Sequence, residues 1–338
     1  MAAANEDRKT DPGKEFGRTG TMKIAVISDI HGNLPALEAV LRDAEKRGIA
    51  EFIFAGDYCL SGPYPDACIS AVRQVRNKHI IRGNEERYLE NLIGKDQREW
   101  TDGQMQISYW CFRNIAPENL RYLTELPHTL DFSIGGARIH LAHSLDNWIP
   151  DCESRLWGPA VIAKQFADTQ LLPDTLSGHI RTLLEQDPSF QDALSGLEEG
   201  IYLFGHTHVQ WSYKVSGRNV YLVNPGSCGL PLDGIIDSVP YAVLTIRESG
   251  ETEIESVRIP FDKQQYADQL KTTTQFTEAN VWSRVILREL MTAREHLTFF
   301  LEYAEQFARK INDSRRPYSV ETWESASKAW EQDLLQKA

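Results

Sequence analysis

The first half of the chain alternates short apolar runs with stretches whose apolar residues recur at helical spacing. Lys23–Ser28 is an apolar run of strand length, and Phe52–Ala55 and His79–Arg82 are two more. The segments that follow Asn33 and that span Pro65–Asn77 place apolar residues three and four positions apart, which predicts helices. Strands that alternate with helices are typical of βαβ units around a largely parallel sheet.

The second half begins with two predicted strands, Thr129–Ile134 and Arg138–Ala142, joined by a hairpin turn at Gly135-Gly136. Residues from about 145 to 199 predict a helical insertion. A later set of strands, which we expect to be mostly antiparallel, comprises Ile201–Phe204, Trp211–Val215, Val220–Val223, Tyr241–Ile246 and Thr252–Ile259. The pattern predicts an α/β fold, a four-layer α-β-β-α sandwich of two mixed sheets with flanking helices, a helical insertion and a C-terminal helical extension.

Residues 263–338 form that predicted C-terminal extension, after a main domain at 22–262. Its apolar residues follow a 4-3-4-3 spacing that predicts one long helical stripe, made of Ile286, Leu290, Ala293, Leu297, Phe300, Ala304, Phe307 and Ile311. Two interpretations stay open. The stripe is either a coiled-coil seam to a partner, a second copy of the chain included, or the face of a helix that packs back on its own domain.

Composition narrows the classes of function. The 338 residues carry a formal net charge of −12, which argues against bulk binding to nucleic acid backbones. Apolar runs are too short to cross a membrane, and five scattered cysteines fit a reducing compartment, so we expect a cytoplasmic protein. Residues 1–21 are polar and predicted to be disordered, and Met22, just before the first strand, is a candidate start.

Residues of metal-ligand type close five of the apolar runs. They are Asp29, His31, Asp57, Asn84, His143, His206 and His208. Ligands of open α/β sheets bind beyond the carboxyl ends of the strands, so these side chains are expected to converge on one rim. Carboxylate, amide and imidazole groups without a thiolate suit Mn²⁺, Fe or Zn²⁺ better than Ca²⁺ or Mg²⁺. Each short motif alone is more often a turn, whereas the five together predict a metal site.

These residues stand in blocks that resemble the calcineurin-like metallophosphoesterase superfamily. The blocks are Asp-x-His, Gly-Asp, Gly-Asn, a histidine after a strand and Gly-His-x-His, between Met22 and about Ile259. Softer likenesses at Ser61–Pro65 and Asn224–Pro231 resemble its bacterial branch of small phosphodiesterases and diadenosine-tetraphosphatase-like enzymes. The resemblance implies two divalent metal ions, with Mn²⁺ favoured and Fe or Zn²⁺ as alternatives.

The same resemblance assigns roles to the residues. One metal would be held by Asp29, His31 and His208. The other would be held by Asn84, His143 and His206, and Asp57 would bridge the two. It implies a hydrolase that cleaves phosphodiester or phosphoanhydride bonds of small substrates, nucleotides among them, by metal-hydroxide attack. Asp57, Asn84 and Glu85 would form the catalytic centre.

The chain departs from the family pattern at Glu85, where many relatives carry a histidine that protonates the leaving group. Nearby metal ions favour a carboxylate, which makes Glu85 a poor acid. Either the substrates have good leaving groups, or another residue, His179 or His140, supplies the proton. Arg82 and His179 are the candidate substrate-binding residues. Trp148 and Trp157 in the insertion either stack on a base or form the insertion's own core.

Two alternatives to this function stay open. A phosphomonoesterase or protein phosphatase is the first, but the run Gly56–Gly62 lacks the Asp and Arg of the protein-phosphatase motif. A non-catalytic interaction module on the same fold is the second. A scaffold has no need of seven metal ligands, so the complete set favours an enzyme.

Overall fold

The computed structural model describes residues 20–167 and 169–337. Most of the predicted disordered extension therefore lies outside the described residues. The first strand, β1 (Thr21–Ile27), begins one residue before Met22, and Thr21 pairs with Arg247 of a neighbouring strand. Thr21, the last residue of the predicted extension, thus belongs to β1.

The first of two sheets has the strand order β10-β9-β1-β2-β3. The partners of β1 are β2 (Glu51–Phe54), β3 (Lys78–Ile80), β9 (Ser238–Arg247) and β10 (Thr252–Pro260). Strands β1, β2 and β3 run parallel, while β9 pairs antiparallel with both β1 and β10. Helices α1 (Leu34–Lys46) and α2 (Pro65–Gln74) make the crossovers that parallel neighbours require.

The second sheet has the order β4-β5-β6-β8-β7. Its strands are β4 (Thr129–Ile134), β5 (Ala137–Ala142), β6 (Gly200–Leu203), β7 (Trp211–Lys214) and β8 (Val220–Asn224). The pairs β4–β5 and β7–β8 are antiparallel, as expected, but β6 is parallel to both β5 and β8. The insertion explains the first parallel pair, because it provides the long crossover from β5 to β6.

Alternate residues of β1 pack on opposite faces of its sheet. Ile24 and Val26 meet the second sheet through Ile139, Leu141 and Leu203, among others. Ala25 and Ile27 pack outward against the apolar face of α1. Because both faces are covered, β1 is apolar almost throughout. The predicted four-layer sandwich of two mixed sheets is confirmed.

Between β3 and β4 the chain forms three short helices, α3 (Glu86–Glu90), α4 (Gln106–Arg113) and α5 (Pro117–Thr124). Four more α-helices lie in the described part of the insertion. They are α6 (Cys152–Leu156), α7 (Pro159–Gln165), α8 (Pro173–Gln186) and α9 (Pro188–Ser195). These insertion helices pack on the outer face of the second sheet around the fully buried Trp157. Its ring lies 4.9 Å from that of Trp211, so Trp157 belongs to the core of the insertion.

The prediction of one long C-terminal helix is wrong. After α10 (Lys263–Lys271) and α11 (Thr274–Glu278), the stripe is divided between α12 (Asn280–Thr292) and α13 (Leu297–Lys310), followed by α14 (Val320–Lys337). Ala293 takes a left-handed conformation (φ 50°), which ends α12. A carboxyl oxygen of Glu289 then accepts the N–H groups of His296 (2.8 Å) and Leu297 (2.7 Å) and caps α13.

Most of the divided stripe is covered by the chain itself, while Ile311 at its end is exposed. Phe300 and Ala304 are fully buried, in a cluster with Val285, Trp323 and Trp330. This is the second of the two interpretations, in which the extension packs back on its own chain, and a partner at this surface stays a prediction. Among the described helices, none combines the length and the apolar character that crossing a membrane requires.

Candidate metal centre

The parallel strands bring the predicted ligands together. β1, β2 and β3 of one sheet and β5 and β6 of the other direct their carboxyl ends to a common rim, where the seven predicted residues lie in the loops that follow. Asp29 touches both sides of this rim. One oxygen lies 3.8 Å from His31 Nε2, 3.4 Å from His208 Nε2 and 3.9 Å from His143 Nε2.

The loops hold their ligands in an unusual backbone conformation. Five of the seven residues have a positive φ between 50° and 69°, namely Asp29, His31, Asp57, His206 and His208. Such left-handed residues cost about 1–3 kcal/mol each when they are not glycine, and they cluster at functional sites. Hydrogen bonds between the loops maintain the conformation, for example from Asp29 N to Gly56 O (3.1 Å) and from His206 N to the Asp29 carboxylate (3.1 Å).

Two glycines allow these loops to approach one another. A Cβ atom on Gly83 would lie 2.0 Å from an Asp57 carboxylate oxygen, and one on Gly56 would lie 2.7 Å from His143 Nδ1. Gly56 also has a φ of 104°, which side chains rarely tolerate. The Gly-Asp and Gly-Asn motifs are thus explained by close backbone approach to the ligands.

Carboxylates and imidazoles form three overlapping groups, each small enough to surround one ion. Asp29, His31 and His208 form the first; Asp29, Asp57 and His143 form the second; and His31, Asp57 and Glu85 form the third. His31 Nε2 and His208 Nε2 are 2.9 Å apart, and His143 Nε2 is 3.1 Å from Asp57 Oδ2. Asp29 and Asp57 are each shared between two groups, as residues between two neighbouring metals would be.

The histidine tautomers show that this arrangement fits a cation. Nδ1 of His143 lies 2.6 Å from Ala55 O, and Nδ1 of His208 lies 2.7 Å from Leu230 O. A carbonyl oxygen can only accept, so both Nδ1 atoms donate, and the Nε2 atoms of the neutral rings carry lone pairs. These Nε2 atoms face the carboxylates of Asp29 and Asp57, an arrangement that needs a positive charge between them, which either a proton or a metal ion supplies. His143 Nε2 is also buried with no hydrogen-bond partner among the described residues.

The buried charges also shift the pKa values of the residues in the site. Burial opposes a charge on His143, but the Asp57 carboxylate outweighs burial and raises the pKa of His143 to about 10. Burial likewise opposes ionisation of Asp29, yet the neighbouring histidines, His208 foremost, hold its pKa well below the usual range. The centre therefore attracts cations strongly, and a metal ion must displace protons from it.

Asn84 and His206 lie at the open edge of the centre, and both are exposed. Together with His143 they line a cavity of about 390 Å³. The His206 ring packs edge-on against that of His143, with centroids 5.3 Å apart. The cavity therefore opens directly onto one side of the candidate metal centre.

Glu85 has a defined contact in the structure. Its Oε2 lies 2.9 Å from His31 Nδ1, and its backbone N–H donates to Asp57 Oδ1 at 2.9 Å. A carboxylate on the second nitrogen of a ligand histidine fixes the tautomer and the ring orientation. Glu85 thus contacts the centre through His31.

Glu86 is a residue that the sequence analysis passed over. It is fully buried, and its carboxylate accepts backbone N–H groups from Asp57 (3.3 Å), Tyr58 (2.9 Å) and Gly83 (2.7 Å). Burial raises the pKa of Glu86 to about 7, and the charge of Asp57 acts in the same direction. Glu86 therefore ties together the two loops that carry Asp57 and Asn84. Only its position two residues after Asn84 could have drawn attention to it.

The candidate substrate residues lie in different surroundings. Arg82 lines the cavity and pairs with Glu90 (2.5 Å). His179 lies on α8, where Nε2 is 3.0 Å from Gln165 Oε1, and the residues that line the cavity come from other segments. The alternative acid His140 is bonded to Asp131 (2.6 Å) and stacks on a tyrosine of β6. His128, which the sequence analysis did not single out, does line the cavity.

Comparison with known proteins agrees with this geometry. The sequence profile of the calcineurin-like phosphoesterase superfamily domain matches residues 22–249. The chain belongs to this superfamily. The metallophosphoesterase domain therefore contains all seven residues of the rim, and the Asp29, His31 and His208 group is a plausible site for the divalent metals that the family uses.

Relatives of this metallophosphoesterase chain cover most of its length. An uncharacterised protein of Methanocaldococcus jannaschii is 27% identical over 253 residues, which cover 71% of this chain and 88% of the relative. A metallophosphoesterase from Sphaerobacter thermophilus has the same fold, with a TM-score of 0.54 and 22% identity over 80% of this chain and 99% of the other. A hypothetical protein of Pyrococcus horikoshii matches with a TM-score of 0.53 and 17% identity over 81% of this chain and all of the other.

Proposed function

We propose that the protein is a dinuclear-metal phosphoesterase that hydrolyses phosphodiester or phosphoanhydride bonds of small substrates. The observation that carries this proposal is the set of histidine Nε2 atoms directed at Asp29 and Asp57 beside an open cavity. Family membership supports phosphoester chemistry, and the complete ligand set supports catalysis over a purely structural role.

Asp29, His31 and His208 would hold one ion, Asn84, His143 and His206 the other, and Asp57 would lie between them. Divalent ions at such a centre lower the pKa of water and neutralise charge on phosphoryl oxygens. Mn²⁺ is our first choice, and Fe and Zn²⁺ are compatible with the same nitrogen and oxygen donors.

Glu85 would act as a positioning residue through His31, and a role as proton donor is not needed in this proposal. With a metal ion on His31 Nε2, the proton of that ring would lie on Nδ1, which would donate to an ionised Glu85 Oε2 at 2.9 Å. An ionised Glu85 has no proton to give to a leaving group. The proposed enzyme would therefore favour leaving groups that depart as stable anions, such as aryl oxides and phosphates.

The experiment that tests the function is turnover of bis(p-nitrophenyl) phosphate by the full chain after reconstitution with Mn²⁺, with bound metal measured on the same sample. The proposal expects bound metal and turnover that a chelator abolishes. Neither bound metal nor turnover, with Mn²⁺, Fe and Zn²⁺ all tried, would overturn it and leave the non-catalytic interaction module as the better account.

A further inference from the structure

We propose that the C-terminal extension positions one of the two metal sites, through Gln275 on α11 and the apolar face of α12. Together they hold the loops that carry His31 and His208, whose Nε2 atoms lie 2.9 Å apart. This inference rests on the proposed function, and it adds positioning residues that lie outside the main domain at 22–262.

Gln275 gives the first argument. Its side chain is fully buried, and its Nε2 donates to Ser61 O at 2.6 Å. Its Oε1 has no hydrogen-bond partner among the described residues. A buried amide that is only half satisfied is less favourable for stability than an apolar side chain of similar shape. The glutamine is therefore explained by the loop that it holds rather than by packing within the extension.

The loop that Gln275 holds supports His31. Leu60 and Ser61 both have a left-handed backbone, with φ values of 56° and 51°, and such residues need the surrounding structure to hold them. The next residue, Gly62, donates its N–H group to His31 O at 2.7 Å. A Cβ atom on Gly62 would clash with that same oxygen, so the two loops fit closely. The bond from Gln275 to Ser61 thus fixes the segment that lies against His31.

The apolar face of α12 gives the second argument, on the His208 side. The carbonyl oxygen of Leu230 accepts from His208 Nδ1 at 2.7 Å. The Leu230 side chain is buried in one apolar cluster with Ile286 of α12. A hydrogen bond from Gly234 N to Ala293 O (2.7 Å) joins the same loop to the end of α12. Because the acceptor on Nδ1 sets the tautomer and the direction of a ligand histidine, α12 orients His208 through Leu230.

The other proposed metal site has different supports. His143 Nδ1 is held by Ala55 O in the main domain, and the cavity beside it is lined by residues between 82 and 206. The contacts from the extension described above fall instead on the side of His31 and His208. Their loss should therefore weaken the binding of one metal ion and spare the other.

The test is calorimetric titration of the metal-free full chain with Mn²⁺, in the wild type and in Gln275→Met. Methionine has a similar length and no donor, so it removes the bond to Ser61 with little change of shape. We expect the affinity of one ion to fall about 10-fold, as for weaker supports of metal ligands, and that of the other to stay within about twofold. Thr274→Val is the matched control. It removes the acceptor of Trp110 Nε1 (3.1 Å), a contact between α11 and α4, and should change neither affinity.

Hydrogen exchange of the metal-free chain gives a readout that needs no metal. The Gly62 N–H group should exchange roughly 5- to 10-fold faster in Gln275→Met than in the wild type, as for one lost hydrogen bond beside it. Its rate in Thr274→Val should stay unchanged. This measurement locates the effect in the loop that lies against His31.

A second pair of variants tests α12, and it decides the question if Gln275→Met does not fold. Ile286→Ala shortens the contact with Leu230 and should weaken one ion selectively, by about fivefold. Val285→Ala is the matched control, because Val285 packs with Phe300 in the extension's own cluster. It should lower stability to a similar extent without a selective effect on either ion.

An equal loss for both ions in Gln275→Met and Ile286→Ala would overturn the inference, as would no loss for either ion. The same selective loss in the two controls would overturn it as well. Each of these outcomes is measured against a wild type that binds two ions. Failure of the proposed function is a different result, in which the wild type binds no metal and does not turn over the aryl diester.

Discussion

Two regions of the molecule bury carboxylates, and they do so with opposite consequences. At the rim of the sheets, Asp29 and Asp57 face the Nε2 atoms of His31, His143 and His208. In the C-terminal extension, Glu289 faces Glu295 and the backbone N–H groups of α13. Neighbouring histidines hold the pKa of Asp29 low, whereas burial, reinforced by Glu295, raises the pKa of Glu289 well above its usual range.

The two regions differ in the groups that balance the buried carboxyl groups. In the first region, carboxylate oxygens and imidazole nitrogens are directed at one another within a small volume, so the region fits metal ions. In the second region burial favours the neutral form of the Glu289 carboxyl group, which caps a helix. Burial also lowers the pKa of the nearby His296 to about 4 and leaves that ring uncharged. Burial of acidic residues alone is therefore no sign of a functional site, whereas carboxylates opposed by imidazole lone pairs are.

Replacing one carboxyl group by an amide in each region should show the difference between the two regions most clearly. Asp57→Asn removes the proposed bridging charge, and we expect kcat/KM on an aryl phosphodiester to fall by roughly 10³-fold or more, with loss of bound metal. Glu289→Gln makes the same chemical change in the C-terminal extension and should leave activity within about twofold of the wild type. Comparable losses in the two variants would contradict the comparison.

Glu85 offers the next largest effect. Glu85→Ala should weaken Mn²⁺ binding about 10- to 100-fold, because His31 loses the acceptor that orients its ring. Glu85→Gln keeps an oxygen that can accept from His31 Nδ1, so it should restore most of the affinity and of the turnover. A glutamine cannot donate a catalytic proton as a carboxylic acid does. Equal loss of rate in both variants with unchanged metal affinity would show that Glu85 is the acid after all.

The smallest effect concerns stability in the C-terminal extension. A carboxyl group whose folded pKa is raised stabilises the fold below its unfolded pKa, and this contribution is lost as the pH rises through the folded value. Glu289→Gln stays neutral throughout, so it should be more stable than the wild type at pH 8, by roughly 1 kcal/mol, and show little gain at pH 5. Urea unfolding at both pH values measures this.

Glu302→Gln on the exposed face of α13 is the matched control for that experiment, and no pH-dependent gain is expected from it. Identical pH dependence in Glu289→Gln and the wild type would mean that Glu289 is ionised in the folded protein. The contrast between the two buried carboxylate regions would then fail.

The sequence predicted those features that depend on local pattern. Apolar runs located the strands, and the polar residues that close them located the rim, because parallel strands share one carboxyl edge. Features that depend on contacts between distant residues were not accessible. The break between α12 and α13 is an example, because the left-handed Ala293 and the Glu289 cap cause it while the heptad-like spacing continues without interruption through Ala293 and Leu297.

The site shows the same limit. The left-handed backbone at Asp29 and His31 arises from hydrogen bonds to the loop after β2, which no local pattern encodes. The contact of Glu85 with His31 joins residues 54 positions apart. Glu86 joins two loops mainly by accepting backbone N–H groups, so its role leaves no motif of side chains in the sequence. Ligand identity was therefore predictable, whereas the supporting residues required the structure.

The most direct test of the central claim is calorimetric titration of the metal-free chain with Mn²⁺ at several pH values. We predict two ions per chain, release of protons on binding, and an affinity that rises between pH 6 and pH 9, because metal must displace protons from a centre where the pKa of His143 is about 10. Absence of binding, or an affinity that does not change over this pH range, would contradict the account of the rim as a metal centre.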